Sequence, residues 1–181
     1  MHWGYKNKGM NKEAYQKLID ETVYPAFERL KKEFIEKDLF GGTCVNVGCT
    51  PTKTMVASAR AAPIARRESE FGVNIGGDIT VDMKKVKARK EAMVSKSSQG
   101  CEKWLRGTKN LTVIDCHARF ESNNKIRVND RELTANKIFI NVGGRARVPD
   151  NFSQLDILTS SNIMDLDYVP EHLIVIGGSY I

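Results

Sequence analysis

Long hydrophobic runs are missing from this 181-residue chain. Its longest is Leu173–Ile176, far short of the roughly 18–20 apolar residues that cross a bilayer. Met1–Gln16 holds no apolar core of a signal peptide, so a soluble, cytoplasmic protein with no membrane partner is expected. Acidic residues do not dominate, and the basic excess is small: 28 Lys and Arg against 22 Asp and Glu give a formal charge of +6. The densest basic cluster, Lys84, Lys85, Lys87, Arg89 and Lys90, lies among acidic and apolar neighbours. It reads as a solvated helix face, and no nucleic acid is expected as partner. Proline is scarce at 5 residues, yet hydrophobic residues make up 41%, enough for a packed core and too many for a disordered chain. Four cysteines are too few for a disulfide framework in a cytosolic chain of this length, and they direct attention to redox or metal chemistry.

The apolar spacing of residues 12–36, with Leu18, Ile19, Leu30 and Phe34, predicts helix, broken or kinked at Pro25. Thr54–Arg67 is rich in alanine and predicts a second helix. A third is expected over about Val81–Leu105, capped by Asp78 or Thr80, with Met83, Val86, Met93, Val94 and Trp104 toward the core. After Leu111 the period changes. Leu111–Ile114, Ala118–Phe120, Lys125–Val128 and Lys137–Val142 read as short strands, with Asn123-Asn124 and Asn129-Asp130 as turn residues of a small antiparallel sheet. His172–Ile176 reads as a buried strand leading into Gly177-Gly178. Helices alternating with such strands indicate an α/β fold.

Cys44 and Cys49 are five positions apart. In a regular helix their Cα atoms would stand roughly 8–9 Å apart, beyond the ~7 Å that a disulfide bridges. A bridge therefore needs irregular backbone between them, and Gly48 supplies a flexible point. Pro51 is tolerated close to a helix start, with Thr50 as its cap. A thiol at that position feels the positive end of the helix dipole, which favours the thiolate. Cys49 is thus the candidate for the stabilised thiolate, and Cys44 for the thiol that exchanges with substrate. Zinc would need two more ligands, and His2, His117 and His172 are scattered, so no metal is expected. Cys101 and Cys116 read as ordinary buried residues.

Phe40-Gly-Gly-Thr-Cys-Val-Asn-Val-Gly-Cys-Thr-Pro-Thr-Lys53 resembles the redox-active disulfide motif of the class I pyridine nucleotide-disulfide oxidoreductases, flavoenzymes that include dihydrolipoamide dehydrogenase and mercuric reductase. Asn141-Val-Gly-Gly-Arg145 is similar to the family segment that closes over the flavin. Leu173–Ile181 is similar to the opening of its NAD(P)H-binding unit. The resemblance covers about residues 34–181. It implies FAD and NAD(P)H as cofactors, Cys49 as the thiol over the flavin, Cys44 as the interchange thiol and Lys53 near the flavin ring. It further implies FAD contacts from Glu36, to the ribose, and from Gly42, Thr43, Ala118, Gly143 and Arg145. A small-molecule or protein disulfide is the implied substrate. Thr50-Pro51-Thr52-Lys53 departs from the Ile-Pro-Ser-Lys of lipoamide dehydrogenases and is closer to mercuric-reductase-like members.

The implied organisation is a helical segment over residues 1–33 unlike the family, an incomplete Rossmann-like FAD-binding domain over 34–170, and the first strand and turn of an NAD(P)-binding domain over 171–181. Residues 1–33 contain no Gly-x-Gly-x-x-Gly turn to hold a pyrophosphate. The family's homodimerisation domain is not represented. The chain on its own is therefore expected to be impaired as an enzyme. The competing reading is a non-enzymatic remnant, or a module that binds a partner through the helices of 12–36.

Overall fold

The computed structural model describes residues 12–177. Two units divide the described residues, 12–38 with 103–136, and 39–102 with 137–177.

In the first unit, helix α1 (Lys12–Leu18) runs into a π-turn (Ile19–Val23) and then α2 (Tyr24–Arg29). Pro25 offers no N–H to the preceding turn and its ring crowds that turn's carbonyl, so the wide turn falls where the sequence places the interruption. Helix does not continue to residue 36 as predicted. Residues Lys32–Glu36 form strand β1 instead, parallel to β2 (Leu111–Asp115), with Phe34 opposite Val113 and Glu36 opposite Asp115. Lys32 N–H donates to the Asn110 carbonyl at 2.9 Å and Cys116 N–H to that of Glu36 at 3.0 Å, extending the ladder at both ends. Leu30 and Phe34 fit a helical stripe equally well, and only pairing with a segment distant in sequence decides for strand. Asn110, left-handed at φ 58°, sends its side-chain amide to the Glu28 carbonyl at 2.8 Å, closing the end of α2.

Strands β3 (Ala118–Ser122), β4 (Lys125–Val128) and β5 (Arg131–Thr134) form the expected antiparallel sheet in sequential order. Its hairpin turns are Asn123-Asn124 and Asn129-Asp130, and Asn129 takes φ 52°, a conformation that asparagine tolerates. Composition alone does not mark β5, because Arg131, Glu132 and Thr134 surround a single apolar residue, Leu133. That residue and Val128, 1% exposed, are the buried centre of this sheet. Lys125–Glu132 (2.7 Å) and Arg127–Glu121 pair across the other face.

The second unit holds α3 (Gly42–Asn46), α4 (Cys49–Arg66) and most of α5 (Met83–Arg106). The start of α5 is capped by Asp82, whose carboxylate accepts the Lys85 N–H at 3.1 Å, and not by Asp78 or Thr80. Met83, Val86 and Val94 are half-buried, whereas Met93 and Trp104, expected in the core, are exposed. The basic cluster is not uniformly solvated either. Arg89 donates to the Thr54 carbonyl (2.8 Å) and to Ser58 Oγ (3.2 Å) on α4, and Lys90 is buried with its ammonium 3.6 Å from Asp165. Beyond Asn136 the second unit contains only two short 3₁₀ turns, Asp150–Phe152 and Ile163–Asp165, among the described residues. The strands predicted at 137–142 and 172–176 do not form. Phe139, Val142 and Ile174 are 86, 89 and 88% exposed, because a strand read from an apolar run exists only where another strand pairs with it. Gly178–Ile181, the rest of the predicted glycine turn, and residues 1–11 lie outside the described residues. No helix among the described residues is long and apolar enough to cross a membrane.

Candidate active site

Cys44 lies in α3 and Cys49 is the first residue of α4, with Gly48 as the N-cap between them. The helix begins before Thr50, which is not its cap; the Thr50 carbonyl accepts the Thr54 hydroxyl at 2.8 Å inside the first turns. Two glycines allow this arrangement. A Cβ on Gly48 would stand 2.8 Å from the Thr43 carbonyl oxygen and 3.2 Å from the Cys44 Cα, so the residue serves close approach of two backbones and not flexibility. Gly41, at φ 97°, would drive a Cβ to 2.6 Å from that of Val45. The loop is then fixed by side chains. Asn46 Nδ2 donates to the carbonyls of Gly42 (2.9 Å), Phe40 (3.1 Å) and Leu39 (3.4 Å). Its Oδ1 is buried without a hydrogen-bond partner among the described residues.

Cys44 and Cys49 are free, exposed thiols that share a hydrogen bond. That bond to Cys49 raises the Cys44 pKa above the ordinary thiol range, with partial desolvation adding to it. Donation from the Cys49 backbone N–H and the positive charge of Lys53 act in the opposite direction. Lys53 stands one turn along α4 and is exposed. The geometry suits thiol–disulfide exchange: two accessible thiols on adjoining helices, one of them at a helix N-terminus.

The remaining predicted residues divide between the units. Gly143, at φ 72°, is positioned so that an added Cβ would come within 3.9 Å of Thr43 Oγ1, which places the Asn141–Arg145 segment beside the redox loop; Arg145 itself is exposed. In the first unit Glu36 ends β1, and its Oε1 accepts the backbone N–H groups of Lys37 (2.9 Å) and Asp38 (3.1 Å). Ala118 opens β3, opposite Val128. Cys101 and Cys116 are half-buried, more accessible than expected. Sequence reasoning missed Asn46, Gly41 and Ser98. Ser98, on α5, donates its hydroxyl to the Phe40 carbonyl at 2.7 Å. The first two lie within the motif itself, whereas nothing in the sequence connects Ser98 to it.

Residues 24–181 match the protein family described as pyridine nucleotide-disulphide oxidoreductase. Among curated relatives, the dihydrolipoyl dehydrogenase of Mycoplasma genitalium is 32% identical over 87% of this chain and 36% of its own length. The mercuric reductase of Bacillus cereus is 29% identical over 93% of this chain and 26% of its own. Among solved structures, the HOCl-induced flavoprotein disulfide reductase RclA of Escherichia coli superposes with a TM-score of 0.65 at 28% identity, over 82% of this chain and 31% of that one. The chain spans about a third of the length of these relatives.

Proposed function

The chain belongs to the pyridine nucleotide-disulphide oxidoreductase family, and from that premise we propose that Cys44 and Cys49 are the dithiol/disulfide couple of a flavin-linked disulfide reductase. The observation that carries this reading is the pair of exposed thiols, one on α3 and one at the first residue of α4, on backbones that meet at Gly48. In the substrate half-reaction the Cys44 sulfur, deprotonated, attacks one sulfur of a disulfide and expels the other as a thiolate, which takes up a proton. The Cys49 thiolate then attacks the Cys44 sulfur, displaces the second product thiol and closes the Cys44–Cys49 bond. Two electrons pass to the substrate. The positive charge of Lys53 favours the Cys44 thiolate with which the first step begins.

FAD, when bound, supplies the route by which an electron pair from NAD(P)H reopens the disulfide. The second unit fits the flavin end of that cofactor. It offers the exposed thiols, the Lys53 cation, the Thr43 hydroxyl beside Gly143, and in Asn46 Oδ1 a buried acceptor that meets no protein donor among the described residues. Gly42, Thr43, Lys53, Gly143 and Arg145 would hold the cofactor there. Residues 1–33 contain no Gly-x-Gly-x-x-Gly turn, so pyrophosphate binding is the part for which the sequence offers no phosphate cradle.

The visible spectrum of the purified chain, with FAD and then dithionite, tests the reading. A bound-flavin spectrum that gains a long-wavelength thiolate–flavin band on two-electron reduction, and loses it in Cys49→Ala, is the expected result. A chain that binds no flavin and whose Cys44 and Cys49 never close a disulfide under oxidant would overturn it.

A further inference from the structure

The redox loop is held from outside by one helix. Ser98 Oγ, on α5, donates to the carbonyl of Phe40 at 2.7 Å, and the same carbonyl receives Asn46 Nδ2 at 3.1 Å from within the loop. Phe40 is buried, four residues before Cys44. On the far side of the pair, Arg89, also on α5, donates to the Thr54 carbonyl, five residues after Cys49. The adjacent Ser97 differs. Its hydroxyl turns back onto its own helix, to the Met93 carbonyl at 2.8 Å, the usual arrangement of a helical serine. Ser98 instead reaches a carbonyl 58 residues away in sequence.

We propose that Ser98 is a positioning residue for the Cys44–Cys49 couple: its hydroxyl fixes the Phe40 carbonyl and thereby holds α3, and with it Cys44, against the N-terminus of α4. This rests on the redox role assigned above to the pair. Closing a disulfide requires the sulfurs to remain within a narrow geometry, so an anchor that limits where Cys44 travels raises its effective concentration toward Cys49. Loss of the anchor favours the open dithiol.

The test equilibrates the 181-residue chain with mixtures of reduced and oxidised glutathione, then counts free Cys44 and Cys49 by alkylation and mass spectrometry. In the measured reaction two protein thiols lose two protons and two electrons as Cys44–Cys49 forms, and glutathione disulfide takes them up as two glutathione molecules. Ser98→Ala is expected to lower the equilibrium constant for closure about three- to tenfold, the range of one hydrogen bond. Ser97→Ala should leave it unchanged, and Ser98→Thr should restore it. Should Ser98→Ala fail to fold, Ser98→Thr and Ser98→Val, equal in shape and different only in the hydroxyl, repeat the comparison. An equilibrium constant that is the same with and without the hydroxyl, even if the thermal midpoint falls, overturns the positioning role. A wild-type chain in which the pair never closes overturns the redox reading itself.

Discussion

Residues 39–58 and residues 137–177 belong to the same unit and differ in what determines their backbone. In the first stretch almost every turn is held by a contact with a named partner. Gly41 and Gly48 let backbones approach where any side chain would collide, Asn46 gathers three carbonyls, and Ser98 and Arg89 reach in from α5. The second stretch has good local turn chemistry of its own. Asn162 Oδ1 accepts the Thr159 N–H at 2.6 Å, and Ser153 donates to the Asp150 carbonyl. Among the described residues its apolar runs meet no partner strand, and Lys90–Asp165 is the ion pair that connects it to α5. Local code is enough to make a turn, but a strand takes its identity from a neighbour.

The sharpest way to break this contrast is with matched glycine substitutions. Gly48→Ala puts a methyl group 2.8 Å from the Thr43 carbonyl oxygen and forces α3 away from α4, whereas Gly144→Ala meets nothing within 4 Å. We expect Gly48→Ala to slow oxidant-driven closure of Cys44–Cys49 on the order of a hundredfold, the typical cost of displacing reacting groups by about 1 Å. Gly144→Ala should close at the wild-type rate. Equal rates in both variants would mean that the pair is not held by the approach at residue 48.

A smaller effect separates the forces within the redox loop. The Cys49 side chain raises the Cys44 pKa, through the hydrogen bond first and its charge second, and Lys53 lowers it. Cys49→Ala should therefore move the Cys44 alkylation profile to lower pH and accelerate the reaction at neutral pH, because a thiol that ionises more readily presents more thiolate there. Lys53→Met should move the same profile upward. Profiles measured with a small neutral alkylating reagent that move together, or not at all, would show that neither neighbour governs the thiol.

The contrast also explains which features are legible in the sequence. The cysteine motif, the two long helices and the asparagine turns of the three-stranded sheet are short-range signals, and they can be read directly. Strand β1 cannot, because Leu30 and Phe34 satisfy a helical stripe until β2 is placed beside them. The converse holds at Lys137–Val142 and His172–Ile176, whose β-rich composition suits strands that find no partner among the described residues. Ser98 is invisible for the same reason as β1: a serine on a helix gives no sign of which distant carbonyl it will meet. Lys90 misleads in the other direction, since a lysine within a basic run reads as solvated and only the fold buries it.

The start of α5 gives the smallest effect, and it isolates local code from tertiary partners. Asp82 accepts the Lys85 N–H, which together with the Lys85 and Lys84 neighbours holds its carboxyl below the usual carboxylate range. A folded-state pKa below the unfolded value means that the cap's contribution is complete above the ordinary aspartate pKa and is lost as pH falls through the lowered folded value. Asp82→Asn keeps a side-chain oxygen that caps equally well but does not titrate. Between about pH 6 and pH 3 the urea midpoint of the wild-type chain should therefore fall slightly more than that of Asp82→Asn, while Asp82→Ala should lie below both at the upper end of the range. If acid lowered the midpoints of wild type and Asp82→Asn in parallel, the helix start would not depend on this carboxylate. The onset of α5 would then belong with the features set by distant packing, on the side of the comparison where β1 and Ser98 already stand.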